Sequence, residues 1–272
     1  MVTRTMIKSN FHTHTVYCDG ADAPEELVLQ AIQLGFTGLG FSGHAHSRVE
    51  DYSMSAENQE KYRRDICALK EKYRDKIEIL CGIEKDLFSD ADSADFDYTI
   101  ASVHYVKKNG LYLAVDESAQ TENDNIEKYY GGDFEAYAED YYSCVLSAVD
   151  KIKPDIIGHL DLLMKFADIN RRTETARYLE IAENCIAQLV KYGAPFEINT
   201  GAMARGYRLR PYPSENLLKM IKKHGGTIAV SSDCHDKKNL NFGFDAAEKI
   251  ALKCGFNQYA VLSENRIIMT EF

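Results

Sequence analysis

Asn10-Phe11-His12-Thr13-His14-Thr15-Val16-Tyr17-Cys18-Asp19 follows a short apolar opening at Met6-Ile7 and reads as a strand running into a loop. Side chains alternate along a strand, so His12 and His14 project to one side. Two imidazoles at a strand end can share one metal ion, because neutral imidazole nitrogen suits zinc, iron and manganese. Asp19 adds a hard carboxylate oxygen a few residues later. An isolated His-x-His can equally be a surface-loop pair, so the reading turns on whether the chain returns further ligands to equivalent places.

Outward from this stretch, short apolar runs alternate with longer helical patterns. Strands are expected over residues 7–12, 38–42, 77–83, 98–103, 155–158, 195–199 and 227–231. Between them, Pro24-Glu25-Glu26 opens a helix that Gly35 stops, and helices are expected over 57–73, 134–151 and 174–192. A further helix over 214–224 is capped by Ser214 and stopped by Gly225-Gly226, and a last one covers 245–254. Residues 107–133 are rich in Asn, Asp, Glu and Gly and read as an insertion or long loop. The tail carries Tyr259-Ala260-Val261-Leu262 and Ile267-Ile268-Met269, two short extended pieces. Repeated strand-then-helix order implies a parallel sheet with helices outside, and about seven such units favour a closed or nearly closed barrel. With no linker and no break in composition, residues 1–272 are expected to form a single α/β barrel domain.

Composition narrows the function. Hydrophobic residues make up 45% and charged residues 27%, ordinary for a globular enzyme. The formal net charge is −10 with no basic block, which argues against a nucleic-acid partner. An anionic substrate would therefore need a local positive site. The seven cysteines are scattered without a Cys-x-x-Cys, as in a reduced protein. The N-terminal residues lack the apolar core of a signal peptide, and no run approaches membrane-spanning length. A cytoplasmic protein without a membrane partner is expected.

The eight histidines then decide the chemistry. His12, His14, His44, His46, His104, His159 and His235 all fall at or just beyond the C-terminal end of an expected strand, and only His224 does not. In a barrel that end carries the active site, because its loops converge on one mouth. Asp19, Glu84 and Asp233 join the set, and Asp233-Cys234-His235 repeats the alternation of His12-Thr13-His14. Each residue alone has an ordinary explanation: a solvated strand end for Glu84, a core imidazole for His104, a helix-facing tip for His159. So many ordinary explanations at equivalent positions are less economical than one metal centre. Six to nine ligands exceed what a single ion accepts, so two or three divalent ions are expected, with Glu84 able to bridge two of them. Such a pocket is net positive and suits a phosphate ester.

These residues carry a resemblance. Phe11-His12-Thr13-His14-Thr15, Ser42-Gly43-His44, Gly82-Ile83-Glu84, Ser102-Val103-His104, Ile157-Gly158-His159-Leu160-Asp161 and Ser232-Asp233-Cys234-His235 resemble the ordered motifs of the polymerase and histidinol phosphatase (PHP) superfamily. Within it, the run from Gly158 to Phe166 and Glu197-Ile198-Asn199-Thr200 followed by Tyr212-Pro213-Ser214 are similar to the histidinol-phosphate phosphatases of histidine biosynthesis. The resemblance implies a distorted (β/α)7 TIM-like barrel with a trinuclear centre of zinc, iron or manganese. By that resemblance one ion would take His12, His14, Glu84 and Asp233. A second would share Glu84 and add His104 and His159, and a third would take Asp19, His44 and His235. The chain departs from the usual pattern at Ser42-Gly43-His44, where an acid more often precedes the histidine, and in the long basic loop 203–210.

The implied activity is hydrolysis of L-histidinol phosphate to L-histidinol and phosphate by a metal-bridging hydroxide, with no phosphoenzyme. Arg205 is the expected phosphate clamp and Arg172 a further candidate; at least two of Arg205, Arg208 and Arg210 should project into solvent. His46 shares the phase of His44 and could protonate a leaving alkoxide or simply support a ligand. Residues 107–133 could form a lid. The rival readings are a phosphatase of the same chemistry for another small phosphate ester, and a non-catalytic metal- or partner-binding domain.

Overall fold

The computed structural model describes residues 7–264 and 266–272. The chain opens with β1 (Ser9–Asn10), α1 (Pro24–Leu34), β2 (Gly38–Phe41), α2 (Ala56–Tyr73), β3 (Glu78–Asp86) and β4 (Tyr98–Ser102). Next come β5 (Tyr105–Lys108), β6 (Leu111–Ala114), α3 (Ala119–Tyr130) and α4 (Phe134–Ile152). The strand–helix rhythm then resumes with β7 (Ile156–Ile157), a short α5 (Ala167–Asn170), α6 (Ala176–Leu189), β8 (Phe196–Asn199) and a short α7 (Gly201–Ala204). It finishes with α8 (Glu215–Lys223), β9 (Ile228–Ser231), α9 (Phe244–Lys253), β10 (Gln258–Ser263) and β11 (Arg266–Glu271).

All the described strands but β5 and β6, which pair with each other, form one sheet in the order β1-β2-β3-β4-β7-β8-β9-β10-β11, parallel from β1 to β10, with β10 and β11 an antiparallel hairpin. Past β9 the sheet curls back on its first strand. Thr13 bridges Cys234 in parallel, and the His14 N–H donates to the Cys234 carbonyl at 2.9 Å. The Asn10 amide donates to Ser232 Oγ (2.6 Å) and to the Leu240 carbonyl (2.9 Å), stitching the same seam. Seven parallel strands thus close at their C-terminal ends, while β10 pairs with the lower part of β9 and distorts the barrel there.

The helices form where an apolar stripe repeats every three or four residues. In α6 the buried positions are Tyr178, Ala182, Cys185, Ile186 and Leu189, and the Tyr178 and Tyr142 hydroxyls meet at 2.8 Å across the α4–α6 contact. The barrel interior is plugged by Phe11, Leu80, Tyr98, Ile100, Ile156 and Leu262. The Tyr98 hydroxyl lies between the carbonyls of Phe11 (2.6 Å) and Phe41 (3.0 Å), and no side chain could share its place. A Cβ on Gly82 would come within 2.2 Å of the Tyr98 ring, and one on Gly40 within 2.4 Å of its hydroxyl. The polar layer lies beyond this plug, at the C-terminal end of the strands.

Two expectations change. Residues 107–133 are not a long loop: they hold most of the β5–β6 hairpin and α3. Asn109 (φ 52°) and Gly110 (φ 82°) supply the left-handed turn that closes the hairpin, and Ser118 caps α3 by accepting the Thr121 N–H. β3 also runs past Glu84 to Asp86, which places both carboxylates on one side of the strand. Among the described residues, no helix is long and apolar enough to cross a membrane.

Candidate metal centre

The histidines named from the sequence meet in one place, apart from His46 and His224. His12 Nε2 lies 3.2 Å and His14 Nε2 3.6 Å from Glu84 Oε2, and the same two nitrogens lie 3.6 and 3.1 Å from Asp233 Oδ1. On the other oxygen of Glu84, His159 Nε2 stands at 3.2 Å and His104 Nε2 at 3.8 Å. Asp19 faces His14 (3.4 Å), His235 (3.0 Å) and His44 (3.7 Å), and His44 Nδ1 also reaches Glu84 Oε2 at 3.0 Å. Glu84 and Asp19 are thus each ringed by the expected histidines, and Asp233 joins them through His12, His14 and His235. The alternation argument holds only for the first motif: β9 ends at Ser231, and it is the left-handed backbone of Asp233 (φ 47°) that turns its carboxylate towards His12 and His14.

These groups fit metal ions. His12 Nε2, His14 Nε2 and Glu84 Oε2 are sealed from solvent and have no hydrogen-bond partner. Buried polar atoms without partners cost about 1–3 kcal/mol each, so three of them converging calls for a cation that accepts all their lone pairs. Among the described residues, four sets of ligand atoms lie close enough together for one ion each: His14-Asp19-His44-His235, His12-His14-Glu84, His44-Glu84-His104 and Glu50-Asp86-His104. His44 thus reaches towards both Asp19 and Glu84, a sharing that the sequence did not suggest.

The electrostatics agree. Burial alone would lower the His12 pKa, but Glu197, Glu84 and Asp233 outweigh it and push it up to about 10. Burial opposes ionisation of Glu84, yet His12 and His44 hold its carboxyl well below the usual range. Burial likewise opposes ionisation of Asp233, and Arg205 and His12 hold it well below. The cluster is charge-dense and its carboxylates are held ionised, as a cation site needs.

A cavity of about 570 Å³ opens onto this cluster. Its wall includes Asp19, His44, Glu84, Asp233 and His235 on one side and Tyr52, Tyr105, Asp116, Lys165 and Tyr207 on the other. The hairpin and the loop that leads from it to α3 supply part of that second wall, tied down where Lys165 Nζ donates to the Asp116 carboxylate and carbonyl, both at 2.9 Å. Arg205 stands at the rim, donating to Asp233 Oδ2 (3.1 Å) and to the Asp233 carbonyl (3.2 Å).

Three other basic residues lie elsewhere. Arg172 is not brought to the cavity: it pairs with buried Glu122 at 3.1 Å and covers the Phe134 ring at 4.0 Å. Arg208 stacks on Tyr212 at 4.4 Å and faces Asp161 at 3.5 Å. His46 is also absent from the wall, its Nδ1 lying 3.0 Å from the Met54 carbonyl, so the geometry does not aim it at a leaving group.

Glu197 is the residue sequence reasoning missed. It accepts from His12 Nδ1 at 2.6 Å, from the His159 N–H at 2.8 Å, from Asn199 Nδ2 at 2.9 Å and from the Ser231 hydroxyl. It orients His12 with Nδ1 protonated, so that Nε2 presents a lone pair. Its signal was a carboxylate inside the short apolar strand Phe196–Asn199, which can be buried only if paired.

Comparison with known proteins gives the family. Curated histidinol-phosphatases are similar over nearly the whole chain: that of Bacillus subtilis is 24% identical over 89% of this chain and 98% of its own. That of Lactococcus lactis is 25% identical over 96% of this chain and 97% of its own. The crystal structure of histidinol phosphate phosphatase from L. lactis, in complex with zinc, L-histidinol and phosphate, superposes with a TM-score of 0.75 at 24% identity, covering 96% of this chain and 98% of that one. The PHP domain matches residues 10–201, most of the barrel and all but two of the expected ligands, and on that match the chain belongs to the PHP domain family.

Proposed function

We propose that this protein is a metal-dependent phosphomonoesterase that hydrolyses L-histidinol phosphate. The observation that carries the reading is the convergence of unpartnered His12 Nε2, His14 Nε2 and Glu84 Oε2 beside a cavity with Arg205 at its rim. The substrate is taken from the relatives: the L. lactis structure is a complex with zinc, L-histidinol and phosphate.

Two or three divalent ions held by His12, His14, Asp19, His44, Glu84, His104, His159, Asp233 and His235 would supply Lewis acidity and an activated water. The chain's own residues do the rest. Arg205 presents N–H donors at the mouth and holds a phosphate oxygen there. Glu197 holds the Nδ1 proton of the neutral His12 ring, so that the lone pair lies on Nε2. The wall of Tyr52, Tyr105, Lys165 and Tyr207 encloses the organic part of the ester. A compact polar cavity of this size suits a small ester better than a polymer.

The test is phosphate release from L-histidinol phosphate by zinc-, iron- or manganese-loaded protein, beside a panel of other phosphomonoesters and a His12→Ala control. Selective release that the control loses supports the reading. Release that favours another ester keeps the phosphatase and removes the histidinol assignment. Bound metal without any release points to a binding domain.

A further inference from the structure

Behind the cluster around Glu84, on the far nitrogen of His104, lies a second meeting of a histidine and carboxylates. The segment after His44 folds back over the cavity and buries Glu50, which is 5% exposed, against β3 and His104. Its backbone is fixed there by Ser53, whose hydroxyl donates to the Glu50 carbonyl at 2.8 Å, and by the Met54 N–H, which donates to the His44 carbonyl at 3.1 Å. Tyr52 from the same segment packs edge-on against the rings of His44 (4.6 Å) and His104 (5.9 Å).

Two atoms at this place are buried without a hydrogen-bond partner: Glu50 Oε1 and His104 Nδ1. They face each other at 3.7 Å. Asp86 is the other carboxylate near Nδ1, at 3.6 Å, but its oxygens already accept the main-chain N–H groups of His104 (2.7 Å) and Phe88 (2.8 Å). Each Asp86 oxygen thus has a donor already, whereas Glu50 Oε1 has none. An ionised carboxylate can only accept, so a proton on Nδ1 and a closure of a few tenths of an ångström from 3.7 Å would satisfy both orphans at once. The lone pair of the imidazole then sits on Nε2, which points at Glu84 Oε1 from 3.8 Å.

We infer that Glu50 is a positioning residue for the metal centre: its carboxylate accepts the Nδ1–H of His104 and so fixes both the tautomer and the ring orientation that turn Nε2 towards the ion shared with Glu84 and His159. Asp86 does the complementary work on the main chain. The inference rests on the metal-binding reading above, and the metal content of the unaltered protein tests that reading separately.

The experiment uses full-length protein with histidine labelled at its ring nitrogens, loaded with zinc. In the unaltered protein, the His104 Nδ1 proton should appear as a slowly exchanging downfield resonance, assigned by its loss in His104→Gln. Glu50→Gln retains an acceptor, though a weaker one, so this resonance should persist and move upfield. Glu50→Leu removes the acceptor: the resonance should be lost to exchange and one zinc ion should bind about 10–100-fold more weakly. The remaining zinc should be held as before. An unmoved Nδ1 resonance in Glu50→Gln overturns the inference, even if Glu50→Leu does not fold. So does full zinc affinity in a folded Glu50→Leu. Absence of zinc from the unaltered protein overturns the metal-binding reading and this inference with it.

Discussion

Glu197 and Arg172 show what a single residue's neighbours decide. His-x-His and Asp-x-His announce themselves because their ligands are two residues apart, whereas the carboxylate that orients His12 lies 185 positions away, across the barrel. Its role follows from a bond that only the fold creates. Glu197→Gln keeps the shape but replaces a charged acceptor with a neutral amide that can turn an N–H towards the His159 main chain. Zinc affinity should fall by about 10–100-fold, measured by competition with a chelator of known strength. Retention at the original affinity would remove Glu197 from the site. Arg172 is the opposite case, a basic residue after a barrel strand whose guanidinium belongs to Glu122 and Phe134. Arg172→Ala leaves a buried carboxylate without its cation, a loss of roughly 3 kcal/mol in urea unfolding. KM for the phosphate ester should stay unchanged, and a raised KM would return Arg172 to the substrate.

At the scale of elements, the parallel strands and their helices were legible because a period of two and a period near four differ plainly, and Ser214 or Gly35 mark ends with little ambiguity. The stretch 107–133 was not, because its polar composition hid two local signals. One was Asn109-Gly110, a hairpin turn; the other was Ser118 ahead of a helix that buries only Glu122 and Ile126. The expected strand ends were also legible as ligand positions, but not the conformation of Asp233, since a left-handed residue breaks the alternation used to read it. β3 couples core to site. Gly82 makes room for Tyr98, and Glu84 follows two residues later on the same strand. Gly82→Ala forces the Tyr98 ring aside, at a cost of about 1–3 kcal/mol by overpacking. Because the displaced strand carries Glu84, zinc stoichiometry should fall together with the urea midpoint. A variant equally stable and fully metallated would show that the plug is slack.

Across the whole molecule, the candidate site gathers its expected ligands from six of the seven barrel strands or the loops that follow them, so metal binding there should be felt as global stability. An ion held at a free concentration 100-fold above its Kd adds about 2.7 kcal/mol, and in a chain of this size that raises Tm by roughly 5–10 °C. Protons compete for the same nitrogens. In protein stripped by a chelator, Glu197, Glu84 and Asp233 raise the His12 pKa from 6.5 to about 10 despite burial, so the protonated ring takes the place of a cation. The sign follows from linkage: a pKa raised on folding contributes stability that is complete below pH 6.5 and is lost as pH climbs through about 10. Stripped protein should therefore lose stability over this range, while metal-loaded protein, whose His12 carries no proton to lose, should not. The Tm difference between the two should be small near pH 6 and widen steadily towards pH 9, when both are heated in buffers matched for ionic strength. A difference that stays constant with pH would mean that His12 is not held protonated in the stripped protein, and that the carboxylates around it are balanced by some other charge.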